Sequence, residues 1–248
     1  MKIVGIIPAR FDSSRFPGKP LADICGRPMI RHVYERASRS RRLDRLLVAT
    51  DDGRIMAAVR AFGGESMLTR RNHPSGTDRL AEASRALELA DEDIVVNIQG
   101  DEPLLDPIMI DILVDALERG SDAPMATLAY LCRNEEGYNN PNVVKVVVDR
   151  NYRALYFSRS PLPYRRDPAD NPVSFLKHLG FYAYRHAFLQ SFTRLPPGCL
   201  EELEKLEQLR ALEHGHSIRV ALSPVESYGV DTPEDLERVV ARMQPQKC

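Results

Sequence analysis

The sequence predicts an α/β protein with a mostly parallel, twisted sheet and helices on both faces, and three observations carry that prediction. Short apolar runs alternate with helical periodicities through the first half of the chain. From about Met125 the texture turns β-rich, with several short strand-like runs and few helices between them. A proline-led helix then closes the chain after Tyr228-Gly-Val-Asp231. A length of 248 residues suits one domain, 1–248, carrying a β-rich subregion at approximately 125–220.

The elements follow in order. Ile3–Ile7 is a continuous apolar run that reads as a buried strand ending at Pro8. Strands are expected at 45–50, 65–68 and 93–98, with helices near 28–39, 53–62 and 77–89 between them. Asp106-Pro107 supplies an N-cap with proline at the first helical position, so a further helix should cover 107–118. Strands at 125–131, 143–148, 154–157 and 177–184 follow, interrupted by a proline- and charge-rich loop at 161–172. Leucines at 200, 203, 206, 209 and 212 fall in a helical region from Cys199 to His214. A strict spacing of three drifts about 60° per step around a continuous helix. The helix therefore either breaks or is buried on several sides, and burial against a second subunit is the preferred explanation.

Composition narrows the function. Lys+Arg 34 against Asp+Glu 35 leaves a net charge of -1, without the basic excess that a nucleic-acid surface needs. The basic run Arg39-Ser-Arg-Arg42 follows an apolar helical pattern and fits a helix carboxyl end. No apolar run reaches membrane-span length, and the start is too short for a signal peptide. Four widely spaced cysteines form no CxxC pair, so a reducing cytoplasm is the expected home. P-loop, GxGxxG, HExxH and GxSxG signatures are all missing.

Chemistry concentrates in a few segments. The loop after the first strand carries Arg10, Arg15 and Lys19 at the strand's carboxyl end, where open α/β sheets bind ligands; three cations there suit a polyphosphate. In Asn97-Ile-Gln-Gly-Asp-Glu-Pro103, Gly100 and Pro103 force a turn that leaves Asp101 at the end of a strand. A carboxylate there serves either its own turn backbone or a hard cation such as Mg²⁺. In Thr232-Pro-Glu-Asp235 a helix cap accounts for Thr232, Pro233 and Asp235, and leaves Asp231 over as a second acid for metal. Pro74-Ser-Gly-Thr-Asp-Arg79 opens a helix with Thr77 as the expected N-cap, which leaves Ser75, Gly76 and Arg79 unexplained.

Pro8-Ala-Arg10, Ser14-Arg15 and Pro17-Gly-Lys-Pro-Leu21, with further matches as far as Asp231-Thr-Pro-Glu-Asp235, resemble the signature of the sugar-acid cytidylyltransferases. Gln99-Gly-Asp-Glu-Pro103 and Leu206-Glu-Gln208 are more similar to the branch acting on 3-deoxy-manno-octulosonate (Kdo) than to the neuraminate branch. The 8-amino-Kdo enzymes share nearly all these motifs. The resemblance implies a Rossmann-like nucleotide-diphospho-sugar transferase fold, with the β-rich insertion used for sugar binding and dimerisation. It also implies transfer of CMP from CTP to the sugar acid with Mg²⁺, a homodimer, and a place in lipopolysaccharide synthesis. Pro8, Ala9, Arg10, Arg15, Lys19, Ser75, Gly76, Arg79 and Gln99 would bind the nucleotide, with Arg10, Arg15, Lys19 and Asp101 catalytic and Asp101 and Asp231 on the metal. Arg159, His178, Tyr182, Glu207 and Gln208 match the family's sugar pocket, Arg159 and His178 as cations for the acid and the others for its hydroxyls. A non-catalytic nucleotide-binding relative on this scaffold would have lost a metal carboxylate or a phosphate cation, and this chain keeps them all.

Overall fold

Buried aliphatic residues build the strands on which the rest hangs. Ile3, Val4, Ile6 and Ile7 pack beside Leu47, Val48, Val95 and Val96, all nearly or wholly removed from water. The computed structural model describes residues 1–12, 16–120, 122–167 and 172–243. In chain order the elements are β1 (Ile3–Ala9), β2 (Asp23–Ile24), β3 (Arg27–Pro28), α1 (Met29–Ala37), β4 (Arg45–Thr50), α2 (Gly53–Ala61), β5 (Ser66–Leu68), α3 (Gly76–Ala86), β6 (Ile94–Asn97) and α4 (Pro107–Arg119). The remainder are β7 (Met125–Cys132), α5 (Glu135–Asn139), β8 (Lys145–Val148), β9 (Ala154–Ser158), β10 (Phe175–Arg185), α6 (His186–Phe192), α7 (Cys199–Glu204), α8 (Gln208–Glu213), β11 (Ile218–Leu222) and α9 (Pro233–Met243).

The chain divides into two units, Met1–Asp111 with Ser227–Cys248, and Ile112–Glu226. In the first, β6, β1, β4 and β5 lie side by side and parallel, so all their carboxyl ends share one edge. In the second, β7 stands between β11, parallel to it, and β10, antiparallel to it. β8 pairs with β10 and β9, both antiparallel. Among the described residues no helix is long and apolar enough to cross a membrane.

Several local expectations are corrected. β1 runs through Pro8 to Ala9, because pairing with β6 ends at Ile6 and only the β4 side continues, so the missing N–H costs no bond on the other side. α3 is capped by Ser75, whose Oγ accepts from Asp78 N at 3.2 Å, and not by Thr77, which is buried inside the first turn. The leucine region breaks at Lys205, held at a φ of 53° between α7 and α8. That break is one of the two explanations that the spacing of three allows. Leu206 and Leu209 turn inward after it, while Leu203 before it is 76% exposed. The β2–β3 hairpin, α5 and α6 had no sequence prediction, being too short to show a periodicity.

Candidate active site

The loop after β1 is shaped by its glycine. Gly18 has φ 74°, a left-handed conformation that any Cβ would strain, and its N–H donates to Phe11 O at 2.9 Å. The turn hands the chain to a short 3₁₀ segment, Lys19–Leu21, which aims Lys19 inward. After β6, Gly100 passes so close to β1 that a Cβ would lie 2.8 Å from the Pro8 carbonyl; no other residue fits there. Asp101 follows in that turn.

One backbone bond brings the second acid alongside. Val230 N donates to Asp101 O at 2.9 Å, and the Val230 side chain is sealed against Ile24, Met29 and Val239. The carboxylate of Asp235 accepts from the N–H groups of both Asp231 and Thr232, while Thr232 caps α9 in return. Asp231 is thereby fixed next to Asp101. Between them sits the ammonium of Lys19, donating to Asp101 Oδ2 at 2.7 Å, to Val230 O at 2.7 Å and to Asp231 Oδ1 at 3.3 Å. Two carboxylates and a carbonyl within reach of one cation form an all-oxygen donor set. Among the described residues no group of three or more His, Cys, Asp or Glu side chains gathers, so this pair of acids suits a hard ion that keeps waters and ligand oxygens of its own.

A cavity of about 350 Å³ opens beside these groups, all within the first unit. Pro8, Ala9, Arg10, Lys19, Ser75, Gly76, Arg79, Gln99, Asp101 and Asp231 line it. Every nucleotide and metal candidate from the sequence is therefore gathered at one place except Arg15, which lies outside the described residues. Arg10 is exposed and lines the cavity. Arg79 is buried, and its guanidinium is turned onto Asp51 Oδ2 at 3.0 Å, Thr69 Oγ1 at 2.5 Å and the Arg70 carbonyl at 3.2 Å. It ties the Thr69–Ser75 loop to the end of β4. His73 also lines the cavity and pairs with Glu82, a contact the sequence gave no signal for.

The sugar-pocket candidates lie in the second unit on three elements. Arg159 follows β9, His178 and Tyr182 lie on β10, and Glu207 and Gln208 begin α8. The register of β10 against β7 jumps between Leu179 and Tyr182, so residues that a regular strand would hold about 13 Å apart have ring centroids only 5.5 Å apart. Phe157 of β9 meets the edge of His178 at 5.0 Å, and Tyr182 feels the charge of Glu207.

Burial sets the protonation of this cluster. It pushes His178 down to about 3, so the imidazole is neutral here rather than the cation the sequence suggests. Thr127 Oγ1 donates to Phe181 O at 2.8 Å and lies 3.0 Å from His178 Nε2. Having spent its one proton, Thr127 accepts from Nε2–H, which leaves His178 Nδ1 as an acceptor. Burial also raises Tyr182 well above its usual value, so it stays a donor. Gln208 is buried, and among the described residues its Nε2 has no hydrogen-bond partner.

The comparisons agree with one another. Residues 4–218 match the family model described as Cytidylyltransferase. The chain is 70% identical over 240 residues, 97% of it and 96% of the relative, to a 3-deoxy-manno-octulosonate cytidylyltransferase of Syntrophobacter fumaroxidans. It is 55% identical over 98% of its length and 99% of the relative to an 8-amino-3,8-dideoxy-manno-octulosonate cytidylyltransferase of Shewanella pealeana. A solved structure of CMP:2-keto-3-deoxy-manno-octonic acid synthetase complexed with CTP superposes with a TM-score of 0.92 at 47% identity, covering 98% of both chains. With the motifs from Pro8 to Asp235, the match over 4–218 and these full-length relatives in agreement, the chain belongs to the cytidylyltransferase family.

Proposed function

We propose that this protein transfers CMP from CTP to the anomeric 2-hydroxyl of Kdo, giving CMP-Kdo and pyrophosphate. The observation that carries the reading is the Lys19–Asp101–Asp231 cluster beside a cavity in a chain 70% identical to an enzyme of that name. The hydroxyl oxygen forms the new bond to the α-phosphorus, the bond from that phosphorus to the α,β-bridging oxygen breaks, pyrophosphate leaves with the electron pair, and the hydroxyl proton passes to solvent. Arg10, Arg15 and Lys19 hold the triphosphate and neutralise the leaving group, so rate comes mainly from positioning and charge. Ser75, Gly76 and Gln99 present hydrogen-bonding groups to the base, while Arg79 shapes their loop. Arg159 takes the sugar carboxylate, and His178, Tyr182, Glu207 and Gln208 take its hydroxyls. Asp101 and Asp231 would hold Mg²⁺, which supplies charge neutralisation at phosphorus and a lowered pKa for the attacking hydroxyl. A homodimer in the cytoplasm, feeding lipopolysaccharide synthesis, completes the proposal.

Kdo is preferred over its 8-amino analogue because the relative at 70% identity carries the Kdo name and the one at 55% the amino name. The test is pyrophosphate release with CTP and Mg²⁺ against Kdo, 8-amino-Kdo and neuraminate. Highest kcat/KM with Kdo is expected. Preference for 8-amino-Kdo or neuraminate would replace the substrate, and release with none of the three would reject the reaction.

A further inference from the structure

Lys145 is wholly buried, and none of the roles above uses it. It lies on β8 opposite Ser158 of β9. Its ammonium donates to three carbonyls, Asn140 O at 2.9 Å, Val143 O at 2.6 Å and Arg159 O at 2.7 Å, and so spends all three donors on neutral acceptors. Burying a charge without a carboxylate in contact is costly, and burial pulls this lysine below its usual value. The acceptors show what that cost secures. Two belong to the loop before β8, and the third is the residue assigned to the sugar carboxylate.

The same loop orients the guanidinium. The carbonyl of Pro141, which lies between Asn140 and Val143 in the same loop, accepts from Arg159 Nη1 at 3.0 Å. Arg159 Nε donates to Glu204 O, the end of α7, at 2.7 Å, and the Glu204 carboxylate accepts from Arg159 N at 2.9 Å and Ser158 Oγ at 2.5 Å. Arg159 is thus gripped at its backbone by Lys145 and Glu204, and at its side chain by carbonyls that those contacts fix. Nη2 has no hydrogen bond among the described residues and is the face left for a ligand.

We propose that Lys145 is a positioning residue for substrate recognition: it sets the carbonyl frame that aims Arg159 at the carboxylate of the sugar acid. The inference rests on the reading of Arg159 given above. Lys145→Met keeps the apolar stem and leaves three carbonyls unpaired, whereas Lys145→Gln restores some of the donors.

Steady-state kinetics on the full chain test it, with folding checked by circular dichroism. Lys145→Met should raise KM for Kdo at least about tenfold with KM for CTP within about twofold, and Lys145→Gln should fall between it and the wild type. Arg159→Met should raise the same KM, and adding Lys145→Met to it should change little, since the lysine acts through the arginine. An unchanged Kdo KM in Lys145→Met, beside a raised one in Arg159→Met, overturns the inference and leaves the Arg159 reading intact. An unchanged Kdo KM in Arg159→Met overturns that reading first. Additive losses, or equal rises in both KM values, would make Lys145 a general staple of the unit and overturn the inference. If the methionine variant fails to fold, the glutamine variant carries the same comparison alone and in the Arg159→Met background.

Discussion

The two units manage charge in opposite ways. In the first, Lys19, Asp101, Asp231 and Arg10 line an open cavity, where ions stay partly solvated and can exchange partners. In the second, the charge of Lys145 is buried against neutral carbonyls, and His178 is held uncharged. The contrast fits what each would bind. A triphosphate brings several charges and its own counterion, so its site must trade one ion pair for another. A polyol acid brings one charge and many hydroxyls, and selecting it requires donors and acceptors held in place before it arrives.

The largest effect should fall where exchange is needed. Asp101→Asn is expected to cut turnover about a hundredfold or more at saturating Mg²⁺ while CTP still binds, as measured by pyrophosphate release and calorimetry. Near-normal turnover would remove Asp101 from its role. Lys19→Met sharpens the point because its ammonium now spans the two acids. It should lower kcat/KM for CTP about tenfold or more, yet tighten Mn²⁺ binding without nucleotide, read by electron paramagnetic resonance. Weaker Mn²⁺ binding in that variant would mean the lysine and the ion do not compete.

Smaller effects are expected in the buried unit. His178 is neutral when folded, with its pKa depressed from 6.5 to about 3, so its contribution to stability is complete above pH 6.5 and is lost as pH falls from there toward 3. Denaturant unfolding of His178→Asn should therefore decline less steeply than the wild type across that window. A parallel decline would show that the imidazole titrates normally. The smallest effect is expected at a helix cap that does not line the cavity. Asp52 caps α2, and the Arg54 side chain holds it at about 2, below the usual 3.8. Its stabilisation is present above pH 3.8 and is lost as pH falls through about 2. Asp52→Ala should cost about 1 kcal/mol at neutral pH, with kcat unchanged.

The contrast also explains what was legible in the sequence. The cavity in the first unit is built by segments that follow strand ends, and glycines, prolines and caps mark those ends in the sequence. Lys19, Asp101 and Asp231 could be chosen before any coordinates, and α1, β4, α2 and α4 lie within two residues of their expected bounds. What could not be read is whatever depends on backbone or burial. The Val230 carbonyl and the Asp101–Val230 bond have no side-chain signature. Arg79 lines the cavity as the nucleotide-binding expectation requires, but its partner Asp51 is distant in sequence and could not be read from it. His178 reads as a cation only while its burial is unknown, and nothing in the sequence singles out Lys145, which is wholly buried. The Leu200–Leu212 spacing raised a real question whose answer, a left-handed Lys205, is not encoded by any glycine.

The central claim is that Asp101 and Asp231 make nucleotide binding in the first unit depend on a divalent ion. Calorimetric titration of the Asp101→Asn/Asp231→Asn double variant with CTP, with and without Mg²⁺, tests it most directly. The variant should bind metal-free CTP at least as tightly as the wild type, since two like charges are gone, and Mg²⁺ should no longer tighten binding. If Mg²⁺ strengthens CTP binding in the double variant as much as in the wild type, the two acids do not hold the ion.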